Sequence, residues 1–130
     1  MSRPKEKDTA ERPLLDPTLR AKVYMRDDMV GAGKVTLLRL LGETGSIAAA
    51  AREMGIGYRR AWFLLESLQA CFAQPLFTTA RGGKGKGGAQ LTETGSALIA
   101  QYGEFEARLE TASRPFLDWL TTQQAAPKTP

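Results

Sequence analysis

The run Gly45-Ser-Ile-Ala-Ala-Ala-Ala-Arg-Glu-Met-Gly-Ile-Gly-Tyr-Arg-Arg-Ala-Trp62 constrains this chain more than any other stretch, because it encodes two short helices and a sharp turn between them. Ser46 is placed to cap the first helix with its hydroxyl. Ile47, Ala50, Ala51 and Met54 then recur at the three- and four-residue spacing of one inward face. The four alanines Ala48 to Ala51 let a second helix cross at close range, and Gly55 and Gly57 permit the turn. The second helix opens near Tyr58 with Arg59 and Arg60 in its first turn. Such a pattern presents a helix to a DNA groove, and it also suits an alanine-rich hairpin inside a helical bundle; the rest of the chain decides between them.

A length of 130 residues holds one domain plus tails, here read as an arm over 1–17, a domain over 18–120 and a disordered tail over 121–130. No apolar run approaches the roughly 20 residues of a membrane span, and the charged N-terminus lacks the apolar core of a secretion signal. The expected location is therefore the cytoplasm, with no membrane partner. Histidine is absent and Cys71 is the only cysteine, which excludes an internal disulfide and a zinc finger; Cys71 reads as a small buried hydrophobe. Neither a metal nor a cofactor is expected. The net charge of +4 is modest, but its distribution is not even. Arg52, Arg59, Arg60, Arg81, Lys84 and Lys86 face only Glu53 and Glu66 over the middle of the chain, whereas Glu93, Glu104, Glu106, Glu110 and Asp118 dominate the segment that follows. One surface thus suits a polyanion and another faces away from it.

Pro4, Pro13 and Pro17 mark the N-terminal arm as flexible. Thr18 to Arg26 alternates Leu19, Ala21, Val23 and Met25 with polar residues and predicts a short strand whose partner comes from elsewhere. Val35, Leu37, Leu38, Leu40 and Leu41 predict a buried first helix ending at Gly42 or Gly45. The helix opening at Tyr58 is expected to reach about Ala73 ahead of Pro75, burying Ala61, Leu65, Leu68 and Phe72. Tyr58, Arg59, Trp62 and Phe63 then face outward, and Trp62 either closes the core or packs against a ligand. Leu76 to Arg81 and Ala89 to Thr92 read as a hairpin around the tip Gly82-Gly-Lys-Gly-Lys-Gly-Gly88, whose two lysines can follow a phosphate backbone or merely be solvated. Thr92 can cap a last helix over about 93–120. There Leu98, Tyr102, Phe105, Leu109, Ala112, Phe116 and Trp119 step by four and three, the seam of a coiled coil, with Pro115 expected to bend or interrupt it. A lone helix cannot bury that seam; it packs on its own domain or, as we favour, on a second copy.

Two phosphate-binding patterns arise only from glycine density. Gly83 to Gly88 satisfies G-x-G-x-x-G, but a second strand rather than a helix follows it. Lys34, Lys84 and Lys86 each follow a glycine, yet none precedes the Ser or Thr of a nucleotide-phosphate loop. No acid, base or nucleophile set stands out, so no enzymatic activity is expected.

Four stretches together resemble the LysR-type winged helix, and specifically the N-terminal domain of the ModE family of molybdate-responsive regulators. They are Gly45-Ser46-Ile47 with Ala50 and Ala51; Gly55 to Tyr58 with Ala61-Trp62; Gly82 to Gly85 with Gly87-Gly88-Ala89; and Leu91-Thr92 with Gly95, Leu98-Ile99 and Tyr102. The resemblance covers roughly Gly33 to Leu120. It implies a mainly α fold with a small β-hairpin wing, a winged helix-turn-helix carrying a long C-terminal dimerisation helix. It also implies a transcriptional regulator that reads a palindromic operator in double-stranded DNA as a homodimer. The residues at or near DNA are then Ser46, Tyr58, Arg59, Arg60, Trp62 and Arg81, with Lys84 and Lys86 on the wing; Leu98, Tyr102, Phe105, Leu109 and Phe116 form the dimer seam. ModE proteins continue into molybdate-binding domains that have no counterpart after Leu120 here, so no direct molybdate site is expected. A competing reading gives the same fold a different task, that of a protein-interaction adaptor whose acidic partner meets the arginines.

Overall fold

The computed structural model describes residues 16–26, 28–80 and 88–126. Their elements run β1 (Lys22–Tyr24), β2 (Met29–Gly31), α1 (Ala32–Thr44), α2 (Ile47–Met54), α3 (Tyr58–Gln69), β3 (Phe77–Ala80), β4 (Gly88–Leu91) and α4 (Glu93–Gln123). Residues 21–107 make one compact unit, and residues 16–20 and 108–126 fall in a second.

In the first unit α1 is the central helix. Val35, Leu37, Leu38 and Leu41 are buried in it, and α2, α3, β2 and β4 pack around it. With the fully buried Leu65, Leu68 and Leu76, these side chains are the main source of stability, each worth about 1.5–3 kcal/mol on burial. The small residues act as their size predicts: Ala50 and Ala51 of α2 and Ala61 of α3 are buried where the helices meet, while Ala48 faces out. Ser46 caps α2, its Oγ accepting from the Ala49 N–H at 2.9 Å.

Glycines play three distinct parts. Gly45 and Gly55 end α1 and α2 in the left-handed region, at φ 79° and 75°, and the N–H groups of Gly55 and Ile56 close back onto the carbonyl of Ala51. Gly57, expected to be needed for the same turn, has φ −75° and open space around it, so the turn depends on Gly55 alone. Gly42, one of two expected ends for α1, lies inside the helix because Leu91 of β4 packs where a side chain would be; a Cβ there would come within 2.5 Å of Leu91 Cδ1.

The N-terminal strand is shorter than its alternation predicts. Only Lys22–Tyr24 pairs, and its partner is the next segment, Met29–Gly31, in an antiparallel hairpin. Val23 and Tyr24 stay exposed. The hairpin is tied to α1 by Lys34, a lysine with only 7% of its surface exposed. Its Nζ lies 3.1 Å from Asp28 Oδ1 and donates to the Met29 carbonyl at 3.1 Å. That bond, with the Met29 N–H, holds the Asp28 carboxyl below its ordinary value. Helix α3 ends at Gln69 rather than near Ala73, because the Gln69 side chain turns to brace the next strand: its Oε1 accepts from the N–H groups of Leu76 and Phe77 at 2.7 and 3.3 Å. Cys71 follows in a turn and is only half-buried, since the helix that would have carried it inward has ended.

The second hairpin forms with Phe77 opposite Leu91 and with Ala80 opposite Gly88, a residue expected in the tip. Toward its tip it is docked on the helical layer by the Ala89 N–H, which donates to the Gly45 carbonyl at 2.9 Å. Thr92 caps α4 through Oγ1, which accepts from Gly95 N at 3.0 Å and donates to the Pro75 carbonyl at 2.7 Å. Within this unit Tyr102 is buried in the core with Leu98 half-buried against it, so the domain itself takes the first two residues of the expected seam.

Helix α4 runs unbroken past Pro115 and three residues beyond the expected limit, so Thr121 to Gln123 are helical rather than tail. Proline removes one intrahelical bond there. Arg114 spans the weakened turn, pairing with Glu110 at 3.1 Å and Asp118 at 3.0 Å, one turn to either side. In the second unit Leu117 is buried and Leu109 and Leu120 are half-buried, whereas Phe116 (61%) and Trp119 (56%) stand exposed with rings stacked at 6.2 Å.

Candidate nucleic-acid interface

Helix α3 sorts its residues onto faces by the 3.6-residue period. Ala61, Leu65 and Leu68 lie on one stripe and have no exposed surface. Arg59, Phe63 and Glu66 carry the same spacing two residues out of phase, which puts them on the opposite stripe, and all three are exposed. Tyr58 and Trp62 occupy one flank and Arg60 the other. No side chain caps the helix at Gly57. The N–H groups of its first turn therefore have no side-chain acceptor at that end.

Trp62 is held on one side and exposed on the other. One edge of the indole meets Phe77 of β3 at 6.3 Å and 75°, while 37% of the residue stays exposed. It fastens α3 to the base of the hairpin and leaves an aromatic surface beside Tyr58. Ser46 is half-buried and its oxygen accepts the cap bond from Ala49, which leaves its hydroxyl hydrogen to donate to an outside acceptor.

Charge pairing separates the arginines. Arg39 is bound to Glu43 at 3.0 Å, and Arg114 is held by two carboxylates. Arg52, Arg59 and Arg60 have no acidic partner among the described residues, although Glu53 and Glu66 are near in sequence. Three unpaired guanidinium groups on α2 and α3 favour an anionic partner. Arg81, Lys84 and Lys86 fall outside the described residues; β3 ends at Ala80 before them and β4 begins at Gly88 after them.

The expected contact set thus divides. Tyr58, Arg59, Arg60 and Trp62 share the exposed side of α3, Ser46 belongs to the α2 cap, and three basic residues lie beyond description. The set omitted Phe63, at 65% exposure the most exposed apolar residue of α3. Its position four residues after Arg59 was the available signal. Among the described residues no group of three or more His, Cys, Asp or Glu could hold a metal, and no helix is long and apolar enough to cross a membrane.

Residues 34–96 match the family model described as "Bacterial regulatory helix-turn-helix protein, lysR family". Molybdenum-pterin-binding protein MopB of Rhodobacter capsulatus is 50% identical over 78 residues, covering 60% of this chain and 29% of that protein. MopA of the same organism is 43% identical over 83 residues, covering 64% and 31%. The DNA-binding transcriptional dual regulator ModE of Escherichia coli K12 is 38% identical over 69 residues, covering 53% and 26%. The chain therefore spans less than a third of these relatives' length. A solved structure, full-length CbnR complexed with its target DNA, superposes with a TM-score of 0.50 at 22% identity, covering 63% of this chain and 28% of CbnR. The order helix, helix-turn-helix, hairpin, long helix is accordingly the winged-helix fold.

Proposed function

We propose that this chain, whose residues 34–96 are a ModE-like helix-turn-helix domain of the lysR family, binds double-stranded DNA as a homodimer and regulates transcription. The observation that carries the proposal is the outward side of α3, where Arg59 and Arg60 stand exposed and unpaired at the helix start. A recognition helix reads bases with its N-terminal residues. Tyr58 and Trp62 flank that stripe, and Lys84 and Lys86, in the sequence between β3 and β4, are assigned to phosphate contacts. The names of the relatives favour a regulon connected with molybdenum. No enzymatic role is assigned.

The two arginines have different tasks. Arg59 lies at the centre of the outward stripe and is assigned to a guanine edge; Arg60, on the flank, is assigned to a phosphate. Arg59→Ala should cost about 1–3 kcal/mol and relax base preference at one position per half-site. Arg60→Ala should weaken all sequences alike and shallow the slope of log affinity against log salt by about one unit per subunit. Gel shifts across a salt series with selected and scrambled duplexes measure both, and wild-type behaviour of the two variants would remove α3 from the interface.

A protein-interaction adaptor is the second reading, favoured by the exposed Phe116–Trp119 pair. It requires binding to DNA to be weak and indifferent to sequence.

A further inference from the structure

Phe63 is the feature that a merely electrostatic interface leaves unexplained. It is 65% exposed, between Arg59 and Glu66 on the stripe opposite the core of α3, and no aromatic neighbour is recorded for it among the described residues. Leaving a phenyl ring in water forfeits the burial energy of an aromatic side chain, so a surface that covers it would recover that energy.

Resting on the reading of α3 as the helix in the major groove, we infer that Phe63 is a specificity-determining residue that packs on the 5-methyl group of a thymine. Three observations favour that occupant. Arg59, on the same stripe, and Arg60, on its flank, are unpaired, and an apolar protein surface closing over Phe63 would desolvate those charges, whereas DNA supplies their acceptors at the same depth. Glu66, on the same stripe, would be repelled by phosphates, which sets the stripe over base edges rather than over the backbone. On the major-groove edge of B-DNA the thymine methyl is the apolar group that a phenyl ring can cover. The spacing bounds where it lies: four residues of helix advance about 6 Å, so the thymine falls within about two base-pair steps of 3.4 Å of the guanine assigned to Arg59.

The test uses the whole chain on a duplex obtained by selection from random DNA, with each thymine replaced singly by uracil, which deletes the methyl and keeps the pairing. One thymine per half-site should respond, with affinity falling about fourfold for a methyl-sized apolar group and about fifteenfold when both half-sites are changed. Phe63→Ala should bind more weakly and show no response at that thymine while keeping its preference for the Arg59 guanine; Phe63→Leu should restore the response in part. Because Phe63 is exposed, melting curves of the variants should match wild type. A flat uracil scan on a tightly bound duplex, or an unchanged response in Phe63→Ala, overturns the assignment while leaving DNA binding intact. Failure to enrich any sequence instead overturns the reading of α3 on which it rests, and the assignment with it.

Discussion

Gly95→Ala lowers the stability of the domain by at least about 2 kcal/mol, the cost of forcing a methyl group into a filled site, and the loss falls on the joint between the hairpin and α4. Gly95 is buried in the first turn of α4 against the backbone of Leu76; an added Cβ would overlap the Leu76 carbonyl oxygen and lie 3.0 Å from its carbon. That carbonyl cannot swing away, because it accepts the Thr92 N–H at 3.0 Å, while Thr92 Oγ1 is held by Pro75 and by the Gly95 N–H. Leu76 itself is fully buried and braced by Gln69. Gly103→Ala is the control: it lies in the same helix with nothing near its Cβ direction, and there alanine should stabilise by about 0.5–1 kcal/mol. Urea unfolding of the two variants gives opposite signs if the packing is as described. A Gly95→Ala protein as stable as wild type would show that the hairpin is not seated on α4 in this way.

Phe116→Glu combined with Trp119→Glu should abolish the proposed homodimer, and the affinity for a two-fold operator should then fall by about 10²–10⁴ as the second half-site is lost. Both side chains are largely exposed and, among the described residues, stack on each other, so their replacement removes little from the fold of one protomer. A self-complementary aromatic patch on a long helix is what a two-fold interface uses. Four carboxylates brought together across that interface would repel strongly. Sedimentation reads the oligomeric state and a melting curve checks the fold. A wild-type chain that is already monomeric at micromolar concentration and binds one asymmetric site tightly would contradict the dimer.

Much of this architecture was legible because several residue types admit few alternatives. Ser46 ahead of an alanine run, Gly55 after Met54, Thr92 ahead of Glu93 and the glycine-rich tip between two short apolar runs each have a local physical meaning, and each ended or began an element where the pattern places it. The misreadings came where one signal has two causes. Glycine marks a helix end or a close approach, and Gly42 is the second, decided by Leu91 from far along the chain. Proline breaks a helix unless neighbours hold it, and the Arg114 pairs do so. Alternation predicted a strand over Thr18 to Arg26, but the partner is so short that only three residues pair.

The candidate site was legible as a helix start and less so as a surface. Arg59 and Arg60 announced themselves by type, whereas their freedom from Glu53 and Glu66 is a property of three-dimensional arrangement. The split of the last helix's seam was likewise hidden: heptad spacing treats Leu98, Tyr102 and Phe116 alike, while the core claims the first two. The Lys34–Asp28 tie and the Gln69 brace have no periodic signature, since each depends on where a chain end meets a helix.

The central claim is that α3 reads a two-fold DNA sequence, and selection of binding sites from a random duplex pool, followed by a salt titration of the winner, tests it most directly. The account predicts an enriched palindrome with half-sites about one helical turn apart or a multiple of it, and an affinity whose logarithm falls linearly with log salt. A pool that returns unenriched, or binding that ignores both sequence and symmetry, would contradict it.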